Sequence, residues 1–328
     1  MIPGRASSRE DGATLLSVLL LIVLMSTAAL AATDALARSV SVARVSDGRA
    51  DSFWAARGAL SVGEVVLNEM LAGRGSKLTA DAALLREPVV FPYPRGTIVV
   101  RFREASNCLN LNTLILGETD EGVSMTEPDR LRQMFEDAGL FSNDARELVD
   151  TLADWMDENT SPRAFGAEDA VYSQRDVPHR APGQRLISLT ELRAIKGYDP
   201  VKLAALDPML CVRDKSENVP LNINTLTDAQ APLLTARFSS QLTRADAERL
   251  IESRPEGGWL NVEEFLLSER VAIITPDKRN DFELSTVSGR IAADITVQSD
   301  TGTLRIAAEF ERGSDGQFVL NGSHRRPG

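Results

Sequence analysis

The sequence predicts an α+β protein in which a long N-terminal helix precedes a head built on an antiparallel sheet, and a large helical insert interrupts that head. Three observations lead to this fold class. An uncharged apolar run at residues 13–33 continues into a Pro-free segment that reaches Leu71. Apolar and polar residues alternate at 97–103 and again in the C-terminal region, as in half-buried strands. The intervening region is acidic and has helical periodicity.

The composition narrows the function classes. The chain has 328 residues and a formal net charge of −11, and a surface of that sign repels phosphate backbones, so we expect no nucleic-acid partner. The two histidines, His179 and His324, are far apart in sequence and supply a His-based zinc site or a Ser-His-Asp triad poorly. Hydrophobic residues make up 43% of the chain, which is enough for a sizeable core.

The N-terminal apolar run is long enough to cross a membrane. Its 21 residues form a helix of roughly 31 Å, which matches the hydrocarbon core of a bilayer. One interpretation is a signal peptide removed at a small-residue site such as Ala29–Ala31, and the other is a retained anchor. The run exceeds the apolar core of about 7–15 residues usual in a signal peptide, which favours the anchor. Arginines on both sides leave the orientation open.

The segment from Asp34 to Leu71 is expected to continue the same helix. It lacks Pro and carries an apolar stripe at steps of four residues. The members of that stripe are Trp54, Gly58, Val62, Val66 and Met70. We expect this stripe to pack on the head while the first half of the helix lies in lipid. The alternative is a membrane span followed by an unrelated first helix of a domain.

Periodicity predicts the remaining elements. The predicted helices are Glu127–Ala138, Asn143–Asp157, Thr190–Lys196, Pro200–Leu206, Thr227–Phe238, Thr243–Arg254 and Val262–Leu267. The predicted strands are Thr97–Arg103, Phe282–Ser288, Arg290–Gln298 and Thr303–Glu311. The Pro-rich stretch 88–96 is typical of a loop or an edge strand.

A five-residue motif occurs twice. Asn-Leu-Asn-Thr-Leu at 110–114 recurs as Asn-Ile-Asn-Thr-Leu at 222–226. Each copy precedes a helical segment, so the repeat predicts two related helix entries with Asn or Thr as the N-cap.

An acidic stretch contains the residues best suited to bind a metal ion. Its oxygen-bearing side chains surround a loop that contains Gly166, and a hard cation such as Ca²⁺ takes six to eight oxygen ligands. The candidate ligands are Asp154, Asp157, Asn159, Glu168 and Asp169. Their spacing is not that of an EF-hand, and a solvated acidic helix end is the alternative interpretation.

Two cysteines, Cys108 and Cys211, flank the helical region. In an oxidising compartment they are expected to form a disulfide that closes a loop of about 100 residues. The alternative is a pair of buried thiols. A catalytic cysteine needs a nearby base, and the surrounding sequence supplies none.

The N-terminal leader resembles that of a known group of proteins. A polar leader that ends in Gly12 and is followed directly by an apolar helix is similar to the class III leader of type IV pilins and type II secretion pseudopilins. In those families a prepilin peptidase cuts after the glycine and methylates the new N-terminus, here Ala13. Most members carry Glu at the fifth mature position, where this sequence has Ser17. The K component of type II secretion typically lacks that Glu.

Further stretches along nearly the whole chain resemble the same K pseudopilins. They are N-L-N-T-L, D-W-M-D followed by G-A-E-D, L-T-E-L-R-A-I-K-G-Y with L-D-P-M-L, and L-N-I-N-T-L. The resemblance implies a pilin-like head with a SAM-like or helix-hairpin-helix-like insert, and a calcium site in that head. It also implies an inner-membrane anchor, a periplasmic head, and the minor pseudopilins I and J as partners.

The function implied by this resemblance is non-enzymatic. The protein is expected to lie at the tip of the periplasmic pseudopilus and to support pseudopilus assembly and the export of folded proteins across the outer membrane. The alternative is a membrane-anchored periplasmic hydrolase that uses the acidic cluster Asp154–Asp169. The segment Leu221–Leu267 also resembles a helix-hairpin-helix module, but its turn at 238–243 lacks the Gly-x-Gly that contacts phosphate, so we expect a packing unit without DNA binding.

The predicted division of the chain follows from these features. The parts are a leader at 1–12, an N-terminal helix at 13–71 with a membrane segment at 13–33, a pilin-like head at 72–109 and 270–328, a helical insert with the acidic loop at 110–220, and a second helical subdomain at 221–269.

Overall fold

The computed structural model describes residues 10–71, 77–119, 122–125, 128–213, 219–238, 241–274 and 284–326. Residues 1–9 of the predicted leader lie outside these ranges, as do Ser239 and Ser240 of the predicted hairpin turn. The described α-helices are α1 (Glu10–Leu71), α2 (Ala83–Arg86), α3 (Pro128–Asp137), α4 (Ser142–Met156), α5 (Asp169–Tyr172), α6 (Pro200–Leu206), α7 (Ala231–Arg237), α8 (Arg244–Glu252), α9 (Val262–Leu266) and α10 (Glu269–Ala272). Short 3₁₀ turns span Leu111–Leu114, Leu189–Ala194, Asp207–Met209 and Asp228–Gln230.

The described strands form one large sheet and several short pairs. They are β1 (Val89–Tyr93), β2 (Gly96–Glu104), β3 (Leu109–Asn110), β4 (Ile115–Thr119), β5 (Gly122–Met125), β6 (Leu210–Cys211), β7 (Leu221–Asn222), β8 (Leu284–Ser285), β9 (Arg290–Ser299), β10 (Gly302–Arg312) and β11 (Phe318–Arg326). The large sheet has the order β1-β2-β9-β10-β11 and is antiparallel throughout. Since β2 pairs with β9, the helical region is inserted between two neighbouring strands, and the predicted α+β class is confirmed.

The sequence predicted most strands of this sheet. β2, β9 and β10 cover the alternating segments, and the Pro-rich stretch forms edge strand β1. The other edge, β11, was not predicted, because residues 319–325 are all exposed and the strand therefore lacks a clean alternation.

α1 is one continuous helix of 62 residues, as predicted. Its side chains from Thr14 to Asp47 are all exposed, and from Gly48 onward one face packs on the sheet. The buried face consists of Gly48, Ser52, Ala56, Ala59, Leu60, Gly63, Leu67 and Leu71. By length and composition α1 is able to span a membrane.

The predicted packing stripe of α1 is wrong. Trp54 is 69% exposed and Met70 is 47% exposed. The helix instead packs through the face that carries Leu60, Leu67 and Leu71, on which glycine, serine and alanine allow close approach to the sheet. A Cβ on Gly63 would lie 3.7 Å from the Phe310 ring, and the side chain of Thr301 occupies the space that a Cβ on Gly48 would need.

Two helical units share one hydrophobic core. The first unit runs from β3 to β6 and the second from β7 to β8, and each pair of two-residue strands is parallel. α3 packs against α4 of its own unit and also against α7 of the second unit. The predicted helices of both units are present, with Thr190–Lys196 realised as a 3₁₀ turn.

The boundary at residue 269 and the predicted strand Phe282–Ser288 need correction. Of that segment, Leu284–Ser285 is the described strand, and it pairs with β7 rather than with the head sheet. Leu284 packs into the helical core. The second helical unit therefore extends to residue 285.

Candidate functional site

The acidic site is built at the C-terminal end of α4. The last turn of this amphipathic helix is buried on all sides, so Asp154 is fully buried and Asp157, the C-cap residue, is 3% exposed. The chain then loops back and enters α5, with Glu168 as its N-cap residue at 7% exposure.

Asp154 organises the returning loop. Its carboxylate accepts hydrogen bonds from the backbone N–H of Arg163, with N···O distances of 3.1 and 3.3 Å. Gly166 lies so close that a Cβ there would be 1.8 Å from Asp154 Oδ2. A neighbouring carboxylate, that of Asp150, accepts from the N–H of Phe165 at 3.0 Å. Two carboxylates of α4 thus hold the loop by accepting hydrogen bonds from its backbone N–H groups.

The other four candidate ligands line a cavity of about 300 Å³. They are Asp157, Asn159, Glu168 and Asp169. Both carboxylate oxygens of Asp157 and Oε1 of Glu168 are buried and have no hydrogen-bond partner. Asp154 is not among the residues that line this cavity. Each of these buried oxygens costs free energy, because it has no hydrogen-bond partner.

Burial and mutual repulsion perturb these acids. Burial raises the pKa of Glu168 to about 7, and the nearby carboxylates of Asp154, Asp157 and Asp169 act in the same direction. Burial also raises the pKa of Asp157, against the opposing effect of the Arg163 guanidinium. The pKa of Asp154 is likewise raised by burial. A cation in the cavity would relieve this repulsion.

Arg163 is the positive charge that faces the two aspartates. Its Nε lies 3.4 Å from Asp154 Oδ1 and its Nη2 lies 3.5 Å from Asp157 Oδ2. Within the described ranges, no three His, Cys, Asp or Glu side chains are arranged to hold a metal ion as they stand. Sequence reasoning missed Arg163, although it is the only basic residue between Asp154 and Asp169.

The rim of the cavity has its own polar contacts. Asn159 Oδ1 accepts from the N–H of Ser161 at 2.8 Å, and Asp169 Oδ1 accepts from the N–H of Ala181 at 3.0 Å. The side chain of Arg180 approaches the other oxygen of Asp169 at 3.7 Å.

An aromatic cluster supports the cavity from behind. Trp155 of α4 packs edge-on against Tyr172 of α5, with ring centroids 5.2 Å apart, and His179 lies 5.2 Å from the Tyr172 ring. The His179 ring nitrogens lie 2.9 Å from the Val177 carbonyl and 3.2 Å from that of Ala194. Sequence reasoning gave His179 no role, whereas the structure shows that it fixes the segment leading to the cavity wall.

The two cysteines form a disulfide in the structure. Cys108 and Cys211 are 103 residues apart in sequence and are joined directly beside the β3–β6 pair. The bridge therefore ties together the beginning and the end of the first helical unit.

The repeated Asn motif makes the same contacts in both units. Asn112 pairs with the backbone of Leu186, donating to its carbonyl at 2.8 Å and accepting from its N–H at 2.9 Å. Asn224 pairs in the same way with Trp259, at 3.1 and 2.7 Å. The first Asn of each copy, for example Asn110, accepts from the N–H two residues later, as an N-cap residue does. The second Asn is a tertiary clamp that the N-cap prediction did not include.

The predicted processing site, Gly12 and Ala13, lies within the first turns of α1. The apolar residues that follow are exposed, including Leu15, Leu16 and Val18.

Comparison with protein families identifies the chain. A family model described as "Type II secretion system (T2SS), protein K" matches residues 107–215, and a second model with that description matches residues 221–285. Together they span more than half of the chain and correspond to the two helical units. The chain belongs to the type II secretion system protein K family.

Relatives in this family extend the similarity beyond the helical units. Type II secretion system protein K of Pectobacterium carotovorum subsp. carotovorum is 29% identical over 276 residues, which cover 83% of each chain. The protein of Klebsiella pneumoniae is 29% identical over 259 residues, covering 79% of each chain. A putative protein K of Escherichia coli K12 is 35% identical over 175 residues and 52% of each chain.

A solved structure shares the fold. The match is to the crystal structure of the GspK-GspI-GspJ complex from the enterotoxigenic Escherichia coli type 2 secretion system, with a TM-score of 0.72 and 24% identity. The alignment covers 87% of this chain and 99% of the other. The arrangement of helix, sheet and helical insert is thus that of a protein K fold.

Proposed function

We propose that this protein K family member is a non-enzymatic minor pseudopilin at the tip of the periplasmic type II secretion pseudopilus. There it supports pseudopilus assembly and the export of folded proteins across the outer membrane. The observation that carries the proposal is α1, whose apolar first half is wholly exposed while its second half packs on the sheet. Such a helix suits a single-pass inner-membrane anchor for a periplasmic head.

The position of the helical units supports a place at the tip. Near the start of the packed part of α1, Ser52 bonds Ser299, and near its end the side chain of Asn68 bonds the backbone of Phe318. The end of the sheet that carries Glu104 and Arg290 is therefore the end remote from the apolar segment. The helical units sit on this remote end, through Glu104 and its partners. A bulky insert there leaves little room for a further subunit above it.

The outward face of α1 offers a surface for partner subunits. Phe53, Trp54, Val62, Val65 and Met70 are 45–69% exposed. We propose that it packs against the minor pseudopilins I and J, as the GspK of the solved complex is found with GspI and GspJ.

Co-purification tests this assignment. The full-length chain, extracted in detergent, should form a stable complex with the I and J proteins of its own secretion system. Trp54→Ala should weaken that complex without changing the melting temperature, because Trp54 is exposed in the isolated chain. Absence of any complex at micromolar concentrations of all three proteins would overturn the tip assignment.

Processing by a prepilin peptidase is part of the same proposal. We expect cleavage between Gly12 and Ala13 and methylation of Ala13, because a polar leader meets the apolar helix at that junction. N-terminal sequencing and intact mass of membrane-extracted protein check this prediction. A mature protein that starts near Ala32 would instead indicate an ordinary signal peptide.

We further propose that the acidic cavity binds Ca²⁺. Asp157 and Glu168 would supply the unpartnered oxygens, with Asn159 and Asp169 at the rim. An all-oxygen donor set on a loop suits calcium, whereas Mg²⁺ demands a tighter octahedron. At a calcium concentration near 100 times the dissociation constant, binding adds about 2.7 kcal/mol to the stability.

Thermal unfolding tests the cation site. Calcium should raise the melting temperature of the full-length chain relative to chelator, and magnesium should raise it less. Glu168→Ala should remove most of the calcium effect, whereas the exposed control Glu256→Ala should keep it. Equal melting curves with calcium and with chelator would leave the cluster as a metal-free acidic loop.

A membrane-anchored periplasmic hydrolase is the second candidate function. The observation that favours it is the raised pKa of Glu168 beside neighbouring carboxylates, a pattern also found in acid–base pairs. Asp157→Asn and Glu168→Gln separate the two proposals. In a hydrolase these variants lose turnover of a chromogenic glycoside or ester panel, whereas a pseudopilin shows no turnover even as wild type.

A further inference from the structure

The guanidinium of Arg163 lies against the cavity without forming good hydrogen bonds. It approaches Asp154 and Asp157 at 3.4 and 3.5 Å, yet its buried Nε has no hydrogen-bond acceptor and both Asp157 oxygens lack a donor. The contacts are therefore ion pairs that lack short, well-aligned hydrogen bonds. A guanidinium that belonged permanently to this site would be expected to bind a carboxylate through two parallel hydrogen bonds.

The charge of this cluster is unbalanced. Asp154, Asp157 and Glu168 are all at least nine-tenths buried, and Asp169 lies beside them. The positive charges that face these four carboxyl groups are Arg163 and, at the rim, the largely exposed Arg180 beside Asp169. A divalent cation would balance the cluster better than a guanidinium does.

Arg163 is also free to leave. Its side chain is 35% exposed, and it belongs to the loop 158–168 rather than to a helix. The backbone of the loop does not depend on the guanidinium, because the N–H groups of Arg163 and Phe165 hold it to Asp154 and Asp150. The side chain can therefore swing into solvent while the loop stays in place.

We propose that Arg163 is an internal counter-ion of the metal-free site and that a divalent cation displaces it from Asp157. This inference rests on the proposed calcium site and adds a mechanism to it. Without calcium, Arg163 compensates part of the buried charge and keeps the carboxylates apart. With calcium, Asp157 turns to the metal and the guanidinium moves into solvent. Asp154 remains a positioning residue for the loop in both states.

Chemical labelling tests the displacement in the wild-type protein. Full-length chain in detergent is treated with hydroxyphenylglyoxal, with calcium and with chelator, and the modified arginines are quantified by mass spectrometry. Calcium should increase labelling of Arg163 several-fold. Arg146, exposed on the neighbouring helix α4, serves as the control and should be labelled equally in both conditions. Unchanged or reduced labelling of Arg163 would overturn the displacement.

Calorimetric titration of variants gives an independent measurement. Arg163→Ala should bind calcium about five- to tenfold more tightly than wild type, since a competing ion pair worth roughly 1 kcal/mol is gone. Arg163→Lys keeps the positive charge, so its calcium affinity should return towards that of the wild type. The control Arg146→Ala should bind calcium with the wild-type affinity.

The outcomes distinguish the two proposals. If neither wild type nor Arg163→Ala binds calcium, the cation site itself is wrong. If both bind with equal affinity and labelling of Arg163 does not respond, the site stands and the displacement is wrong. Because labelling uses the wild type, poor folding of a variant does not prevent the test.

Discussion

At the scale of single residues, the buried acid Glu168 gives the site a pH dependence. Its pKa is raised from 4.5 to about 7. Since this value lies above that of the unfolded chain, its contribution to stability in the metal-free protein is complete below pH 4.5 and is lost as pH rises through 7. Calcium needs the ionised form, so the apparent calcium affinity should fall roughly tenfold per pH unit below pH 7.

Melting curves with calcium and with chelator, recorded between pH 5.5 and 8, measure this effect. The calcium-induced shift should be small at the acid end and large at the alkaline end. Glu168→Gln removes the titrating group and should flatten the dependence. A shift of the same size at both ends would mean that Glu168 does not take part in binding.

The repeated asparagines lead to a second prediction at this scale. Asn112→Ala leaves the N–H and carbonyl of Leu186 without their partner, and it also removes a bond to the carbonyl of Arg213. Buried groups that lose their partners are costly, so the free energy of unfolding should fall by about 2–4 kcal/mol. The exposed control Asn143→Ala should change it by less than about 0.5 kcal/mol. Chemical denaturation measures both values, and equal effects would contradict the clamp.

Residue types were easier to predict from the sequence than residue roles. Oxygen-bearing side chains in a short stretch were enough to select Asp157, Asn159, Glu168 and Asp169, which line one cavity in the structure, while their role as metal ligands stays a prediction. The separate role of Asp154 was hidden, because a carboxylate that bonds backbone N–H groups nine residues away is visible only once the loop has folded. Arg163 was hidden for the same reason, as a single arginine in an acidic loop is ordinarily a solvated residue.

At the scale of elements, α1 shows where periodicity misleads. Large apolar residues at steps of four predicted the packing face, yet the helix packs through another face, which combines glycine, serine and alanine with Leu60, Leu67 and Leu71. How deeply a face of α1 is buried depends on how closely the helix backbone approaches the sheet, and small residues permit a close approach. The large apolar residues of this stripe stay mostly exposed, and a single sequence does not show which face of a helix packs on its own head.

The disulfide leads to a prediction about the first helical unit. Cys108→Ser with Cys211→Ser opens a loop with a sequence separation of 103 residues. Such cross-links contribute about 2–4 kcal/mol, mainly by restricting the unfolded chain. We expect the double variant to lose that amount in denaturant unfolding and a reducing agent to produce no further change. An unchanged midpoint after complete reduction of the wild type would show that the bridge contributes nothing.

At the scale of the whole molecule, the chain is a sheet into which two related helical units are inserted. The alternating strands and the helical periodicity were sufficient to predict this plan. The boundary near residue 285 was not predicted, since a two-residue parallel strand such as β8 has no periodicity of its own. Its place depends on its pairing with β7, more than 60 residues earlier.

Glu104 couples the sheet to the second helical unit. It ends β2, and its Oε2 accepts hydrogen bonds from Asn222, Thr225 and Ser288. Its Oε1 accepts from the N–H groups that follow it in the chain. The Glu104 carboxylate thus links the end of β2 to the segments that lead into and out of the second helical unit.

Removal of this carboxylate should weaken the molecule as a whole. Glu104→Ala leaves three side-chain donors on the helical side without their shared acceptor, and we expect the free energy of unfolding to fall by about 2–4 kcal/mol. Because the lost bonds lie between the sheet and the second unit, calorimetry should show a broader or divided transition in which the helical units melt first. The exposed control Glu256→Ala should melt like the wild type. If Glu104→Ala keeps a single transition at the wild-type temperature, the coupling lies instead in other contacts at that end of the sheet, such as the ion pair of Arg213 with Glu309 and the hydrogen bond from Arg213 to the Ala105 carbonyl.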